Sequence, residues 1–493
     1  MRTKLIVAAL ATAGLCSFST ATLSATKEAE LLQKLADRLE KLEARNTELE
    51  KEVKTLKVEN DKISKSLESD NISQYEPEIT ARLKAVEKDT LDMKKSAKVI
   101  EALDGIKAGA SLTTVAQKPY GLPTGTKNND TQLSYRADVE VELPLSPIGN
   151  TEQKLFGHFR MGQGQGLNTP FSNLGYFGAP NGAAFTISNA DKDDSSALLA
   201  QAWYQAKIPL PFGGFKPHSR ESAEITFGKI DIFGFFDQNE VAGDEATQFL
   251  NSTLVHNPLL DAGGEVAADG NGFQPGFIGA YVNETNKAEP WRVSLGYFGA
   301  GERGASWGRS FDSPLLIGQV EKQLKLFGGL TGNYRAYAWQ RSKATELDEK
   351  TQKNHTGFGI SVDQRVGDGL NLFGRYGQLT KGELSFDKAL TLGTEISGNY
   401  WGRGGDVLGI AGAWMRTSSA FRKAGGSSDF NGDGTADLNY SPSGTEKVAE
   451  VYYRYRISPE FSVSPDFQWI SNPGGNPNAD SVRVVSVRAN VSF

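Results

Sequence analysis

The sequence predicts an all-β transmembrane barrel of about sixteen antiparallel strands, preceded by an α-helical coiled coil. Three observations carry that prediction. Strand-length segments with apolar residues at every second position recur through residues 106–493. The connections between them alternate long and short, as in outer-membrane barrels with long exterior loops and tight periplasmic turns. Beyond the amino terminus there is no run of about eighteen apolar residues, which excludes a helical membrane protein and leaves a barrel open.

At the amino terminus, Arg2 and Lys4 precede an apolar run from Leu5 to Cys16 and small residues ending near Ala25. That is the layout of a secretory leader, placed at residues 1–25, with Ala21 as the alternative cleavage point. Leu15 stands where a lipoprotein needs a small residue before the modified cysteine. Cys16 is the only cysteine, so the exported chain is expected to hold no disulfide, thiolate metal site or thiol nucleophile. The formal net charge of −6 becomes more negative once Arg2 and Lys4 leave, and no nucleic-acid partner is implied.

Residues 26–70 predict a periplasmic coiled coil. With Leu32 at heptad position a, Leu35, Leu42, Leu49, Leu56 and Ile63 occupy d, while Asn46 and Asn60 occupy a. Buried asparagines at a set register at a cost in stability. The alternative is one amphipathic helix packed on a domain. From Leu32 to Leu67 the rod would be about 50 Å long. A weaker helical linker follows over 71–105, ended by Asp104 and Gly105.

In the barrel region, Leu133, Tyr135, Ala137, Val139, Val141 and Leu143 alternate with Ser134, Arg136, Asp138, Glu140 and Glu142. The last strand alternates likewise, Val485 to Phe493 against Ser486, Arg488 and Asn490. About sixteen such segments can be counted: 106–116, 133–143, 154–163, 197–207, 222–229, 277–283, 291–298, 315–324, 332–341, 356–364, 370–378, 389–401, 407–416, 446–457, 461–470 and 482–493. An even number suits a bacterial barrel. The gaps 117–132, 164–196, 230–276, 299–314, 342–355, 379–388, 417–445 and 471–481 are then exterior loops. A cell outer membrane of a Gram-negative bacterium is the expected location.

Three stretches resemble the carbohydrate-selective porins of the OprB type: "FGKIDIFGFFDQNEVAGDEATQFLNSTLVHNPL" (227–259), "GTEISGNYWGRGGDVLGIA" (393–411) and "VYYRYRISPEFSVSPDFQWISNPGG" (451–475). The resemblance covers most of 106–493. It implies a sixteen-stranded barrel that passes small carbohydrates by diffusion. Barrels of this size commonly associate in threes, which predicts a homotrimer, whereas asparagine at a with leucine at d is a feature of two-stranded coils. The resemblance does not cover the heptads, which resemble the periplasmic extension of sucrose-specific porins and suit contact with the cell wall. A sheath for an electron-transfer cytochrome and a tether between outer membrane and cell wall are the alternative functions.

Parity predicts the lumen side. If Phe493 faces lipid, then Arg136, Asp138, Glu140, His158, Arg160, Trp203, Arg335, Arg375, Glu450, Arg454 and Arg488 turn inward, a lining of both signs. One residue of register slip would exchange the faces. In porins a loop in the position of 230–276 folds inward and narrows the barrel, and its run Glu245 to Leu254 reads as a short helix. Asp237, Asp244 and Glu245 would then face Arg136, Arg160 and Arg488 across a constriction, orienting neutral polar solutes with weak ion selectivity. Trp203, Tyr452 and Phe236 are the candidate platforms for sugar C–H faces. No catalytic group is expected. His158, His218, His256 and His355 have no metal-ligand spacing, and the Gly162–Gly166 run "GQGQG" lacks a following helix that would make a phosphate cradle. No cofactor is required. The segment "DFNGDGTADL" spaces Asp429, Asn431, Asp433, Thr435 and Asp437 as Ca2+ ligands, with Gly434 for the turn. Tyr440 stands where an EF-hand needs Glu, so the choice is a β-hairpin Ca2+ loop or a plain acidic turn.

Overall fold

The computed structural model describes residues 44–45, 47–49, 51–58, 105–123, 126, 130–187, 194–301, 305–427, 429, 434, 436, 438 and 440–493. The expected leader, most of the heptad segment and nearly all of the linker lie outside the described residues. Within 44–58 the described residues are helical and exposed.

From Lys107 onward, period-2 alternation folds as sixteen antiparallel strands that close on themselves. They are β1 (Lys107–Tyr120), β2 (Gln132–Ile148), β3 (Thr151–Gln163), β4 (Ser196–Pro209), β5 (Glu221–Ile230), β6 (Gln274–Asn283), β7 (Trp291–Phe298) and β8 (Leu315–Leu326). The second half comprises β9 (Leu330–Thr345), β10 (Gln352–Gly367), β11 (Leu370–Lys381), β12 (Phe386–Ser397), β13 (Val407–Thr417), β14 (Thr445–Arg456), β15 (Phe461–Ser471) and β16 (Val482–Ser492). Each expected segment falls on one of these strands to within a residue at its ends, except 389–401, whose last four residues turn away as the 3-10 turn Gly398–Trp401 after β12 ends at Ser397. Longer strands trim several of the expected exterior loops, two of them to less than half their expected length. The β9–β10 pairing continues outward so that only 346–351 remain, and the β11–β12 connection is 382–385.

Closure follows from satisfying the edge. β1 pairs with β16 from Ser111↔Ser492 to Tyr120↔Arg483, and a paired edge presents no unsatisfied amides to the membrane. Inside the seam, Asn490 donates to Thr113 Oγ1 at 2.9 Å and Gln117 to Ser486 Oγ at 3.2 Å. The backbone of Phe493 exchanges hydrogen bonds with Ala110 at 2.8 and 2.9 Å. On β16 Ser486, Arg488 and Asn490 are buried while Val485 and Val487 stay nearly half exposed on the outer face, the inverse of a soluble protein.

The lumen is not open across its whole section. The connection between β5 and β6, residues 231–273, folds into it and carries the apolar core: Phe236, Phe249, Leu254 and Leu259 pack with Tyr337, Trp339, Phe373 and Tyr452 of the wall. Local polar side chains shape this loop by capping its own backbone. Asp231 accepts from Phe233 N at 3.0 Å, Asn239 from Val241 N at 3.0 Å, Asn251 from Thr253 N at 3.1 Å and Asn257 from Leu259 N at 3.1 Å. The helix expected from Glu245 to Leu254 is only the single turn Ser252–Val255. The competing caps at Asp244 and Asn251 break the run into separate turns.

Candidate functional site

The loop is pinned to one side of the wall by residues that parity places inward. Arg375 donates to Asp237 Oδ1 (3.2 Å), Leu254 O (2.9 Å), Asp237 O (3.2 Å) and Ala242 O (2.7 Å). Asp237 also accepts from Tyr337 OH at 2.8 Å and from Asn257 N at 2.6 Å. Its φ of 55° is the left-handed conformation, which persists where surrounding contacts over-determine it. Glu450 accepts from Leu250 N and Asn251 N at 2.6 and 2.9 Å. Arg488 donates to Glu245 O and Gln248 O at 3.0 and 2.6 Å, and Arg454 to Thr247 O at 3.3 Å. Arg375, Glu450, Arg454 and Arg488 therefore face inward but serve as loop anchors beneath the loop. Asp237 is buried against Arg375 instead of facing the passage. Asp244 caps its own turn, accepting from Ala246 N at 2.8 Å.

On β2 and β3 the inner wall carries a further polar group, of which Arg136, Asp138 and His158 are buried and Arg160 is half-buried at the cavity. Arg136 donates from Nε to Asp138 at 2.7 Å and from Nη1 to Glu245 at 2.5 Å. Asp138 Oδ1 also meets His158 Nε2 and Arg160 Nε, both at 2.7 Å. Four side chains from β2 and β3 and one from the loop thus form a single charged network. Adjacent strands and period 2 bring it about, since Asp138 lies opposite Arg160 and Glu140 opposite His158 in the ladder. Burial opposes ionisation of Glu245, but Arg136, Arg160 and His256 outweigh it and hold its carboxyl down to about 2. Glu140, on the same face, is exposed. Arg335 pairs with Asp363 at 2.8 Å and Glu321 at 3.2 Å. Trp203 stacks on Phe156 with centroids 4.6 Å apart and meets Phe235 edge-on at 5.6 Å.

Between loop and wall lies a cavity of about 1270 Å³ lined by Arg160, Asp231, Phe233, Glu245, His256 and Arg335 among others. More carboxylates than guanidinium groups line it. Residues 128–493 match the carbohydrate-selective porin, OprB family. The chain belongs to the OprB family. With its closed barrel, this OprB-family chain is a porin of the outer membrane. It is similar to Porin AaxA of Chlamydia trachomatis serovar L2, 28% identical over 287 residues that span 55% of this chain and 53% of that one. The chain thus matches about half the length of the chlamydial relatives. An Aquifex aeolicus protein is 24% identical over 310 residues, covering 63% of this chain and 75% of that protein. The high-pH structure of Pseudomonas putida OprB superposes with a TM-score of 0.62 at 18% identity, covering 80% of this chain and 96% of that one, a likeness of fold.

Two of the expected sugar platforms in this porin are corrected. Tyr452 is 1% exposed and meets Phe249 edge-on, and Phe236 is wholly buried beside Phe298. Phe236 belongs to the loop and Tyr452 to the wall, and both are sealed in the apolar contact between the two. Sequence reasoning missed Asp231, Phe233 and His256 on the cavity wall. The lone histidine in "NSTLVHNPL" offered no spacing signal, because its partners come from elsewhere in the loop. Of the Ca2+ residues, Asn431, Asp433, Thr435 and Asp437 lie outside the described residues. Asp429 accepts from Gly434 N at 2.8 Å.

Proposed function

We propose that this porin passes small carbohydrates and other polar solutes by passive diffusion, with selection at the constriction between the loop 231–273 and strands β2 and β3. The observation that carries the reading is the Arg136–Glu245 contact at 2.5 Å joining wall to loop, with Asp138, His158 and Arg160 behind it. The cavity beside it carries guanidinium groups and carboxylates together, and fixed charges of both signs around a passage orient polar, uncharged molecules and disfavour apolar ones. Passive diffusion through such a passage calls for no catalytic group and no cofactor. Swelling of liposomes containing the protein tests this. Sugars should enter faster than non-sugars of similar size, and replacing Arg136 and Arg160 by alanine should narrow that difference while the barrel still forms. Equal relative rates in both proteins would leave an unselective pore.

The finer assignments are part of the same proposal. The heptads of 26–70 support an oligomeric periplasmic coil in contact with the cell wall, and barrels of this size support a homotrimer embedded in outer-membrane lipid. The alternating oxygen side chains of 429–437 support an exterior Ca2+ loop.

A further inference from the structure

Loop 231–273 holds two rings at the edge of its buried core, with Phe233 packed against that core and only partly covered. Phe233 and His256 lie parallel, with ring centroids 3.7 Å apart and planes 4° from coplanar. Phe236 and Phe249 of the same loop are 0% exposed, whereas Phe233 is only partly buried and the His256 side chain keeps 21% of its surface. His256 Nδ1 is fixed by Asp261 Oδ2 at 3.0 Å, and Asp231 reaches Phe233 N through Oδ1 at 3.0 Å. These four side chains line the same cavity as Arg160 and Glu245. The outcome is a locked aromatic plane with carboxylates on both flanks and a guanidinium within the same hollow.

We propose that the Phe233–His256 stack, flanked by Asp231, Asp261, Arg160 and Glu245, is a binding subsite for a neutral pyranose on its way to the constriction. The chemistry needs those groups together. A pyranose presents a face of C–H bonds that packs on an aromatic plane, while its equatorial hydroxyls donate to carboxylates and accept from guanidinium N–H groups. Ligand cavities of roughly 300–1,000 Å³ hold small molecules, so a hollow of about 1270 Å³ admits a mono- or disaccharide with water. A purely structural stack would be packed under neighbouring side chains, as Phe249 is against Phe373 and Tyr452. Fixing the ring in advance removes an ordering cost from binding.

The inference rests on the diffusion reading above, and the experiment separates the two. Ion current through the full-length reconstituted protein is recorded while glucose or maltose is added, alongside swelling of liposomes with the same sugars. A saturable fall in current is expected. Phe233→Leu should weaken it by about two- to tenfold, the range of an aromatic contact, and Phe233→Tyr, which keeps the ring face, should stay within about twofold of wild type. In wild type, glucose should also slow modification of His256 by diethyl pyrocarbonate, with His256→Gln identifying the reacting residue. Unchanged block in Phe233→Leu, or an unchanged modification rate, would overturn the subsite. Swelling without saturable block would overturn the subsite and leave diffusion standing. Absence of swelling would overturn the diffusion reading and the subsite with it.

Discussion

Replacing Arg375 by methionine should release the constriction loop. The substitution keeps most of the apolar stem and removes a guanidinium that makes four hydrogen bonds to the loop, two of them to Asp237. What is left is a buried carboxylate that retains Tyr337 OH and Asn257 N, together with the carbonyls of Leu254 and Ala242, which lose this donor. Breaking a buried ion pair by removing one partner costs about 3–5 kcal/mol. At about 1.4 kcal/mol per decade, the ratio of docked to undocked loop falls by roughly two to three and a half orders of magnitude. Glu450 and Arg488 still hold the segment 245–251, so the expected state is a loop that leaves and returns. Single-channel recording should show a noisy current with excursions above the wild-type level. Heat-modifiable migration on gels should remain, since every strand pairing in the wall is intact. A quiet wild-type conductance in a correctly folded Arg375→Met barrel would refute the idea that this pair holds the loop in place.

The excess of carboxylates around the cavity predicts that K+ permeates more readily than Cl−. A reversal potential of the opposite sign in a KCl gradient would contradict this. At the 398–406 turn, burial pushes the Asp406 carboxyl up, but Arg403, Tyr453 OH and the Arg456 amide hold it below its ordinary value. The stabilisation from Asp406 is therefore complete above about pH 4 and is lost as pH falls through the lowered pKa. Wild type should lose thermal stability on acidification below pH 4 more steeply than Asp406→Asn, and equal slopes would defeat the assignment. Millimolar Ca2+ should protect the 418–444 connection from proteolysis, because ordering a long loop needs a compensating ligand. Identical cleavage with chelator would remove the Ca2+ proposal. Crosslinking of the isolated segment 26–69 should give oligomers, and a monomer at micromolar concentration would remove the coiled coil.

Period 2 is a local property, and so the sequence by itself determined strand identity and facing. Arg136, Asp138, His158, Arg160 and Arg488 all stand on the inner face that parity assigns them, because a strand's alternation survives whatever its neighbours are. Loop alternation likewise decided which end carries the long connections, and the inward fold expected of 230–276 put Glu245 against Arg136, together with Asp237 and Asp244, which serve other contacts. Tertiary structure alone decided which inner residues meet the passage. Arg375 and Asp237 lie 138 residues apart, and Glu450 and Leu250 lie 200 apart. No periodicity encodes those pairings. They arise because a buried guanidinium and a carboxylate must each find partners once the loop excludes water from that side of the barrel. The same burial removed Tyr452 and Phe236 from the wetted surface and left Phe233 and His256 on it, since the loop has one apolar face to cover and its opposite face remains toward the open side of the pore.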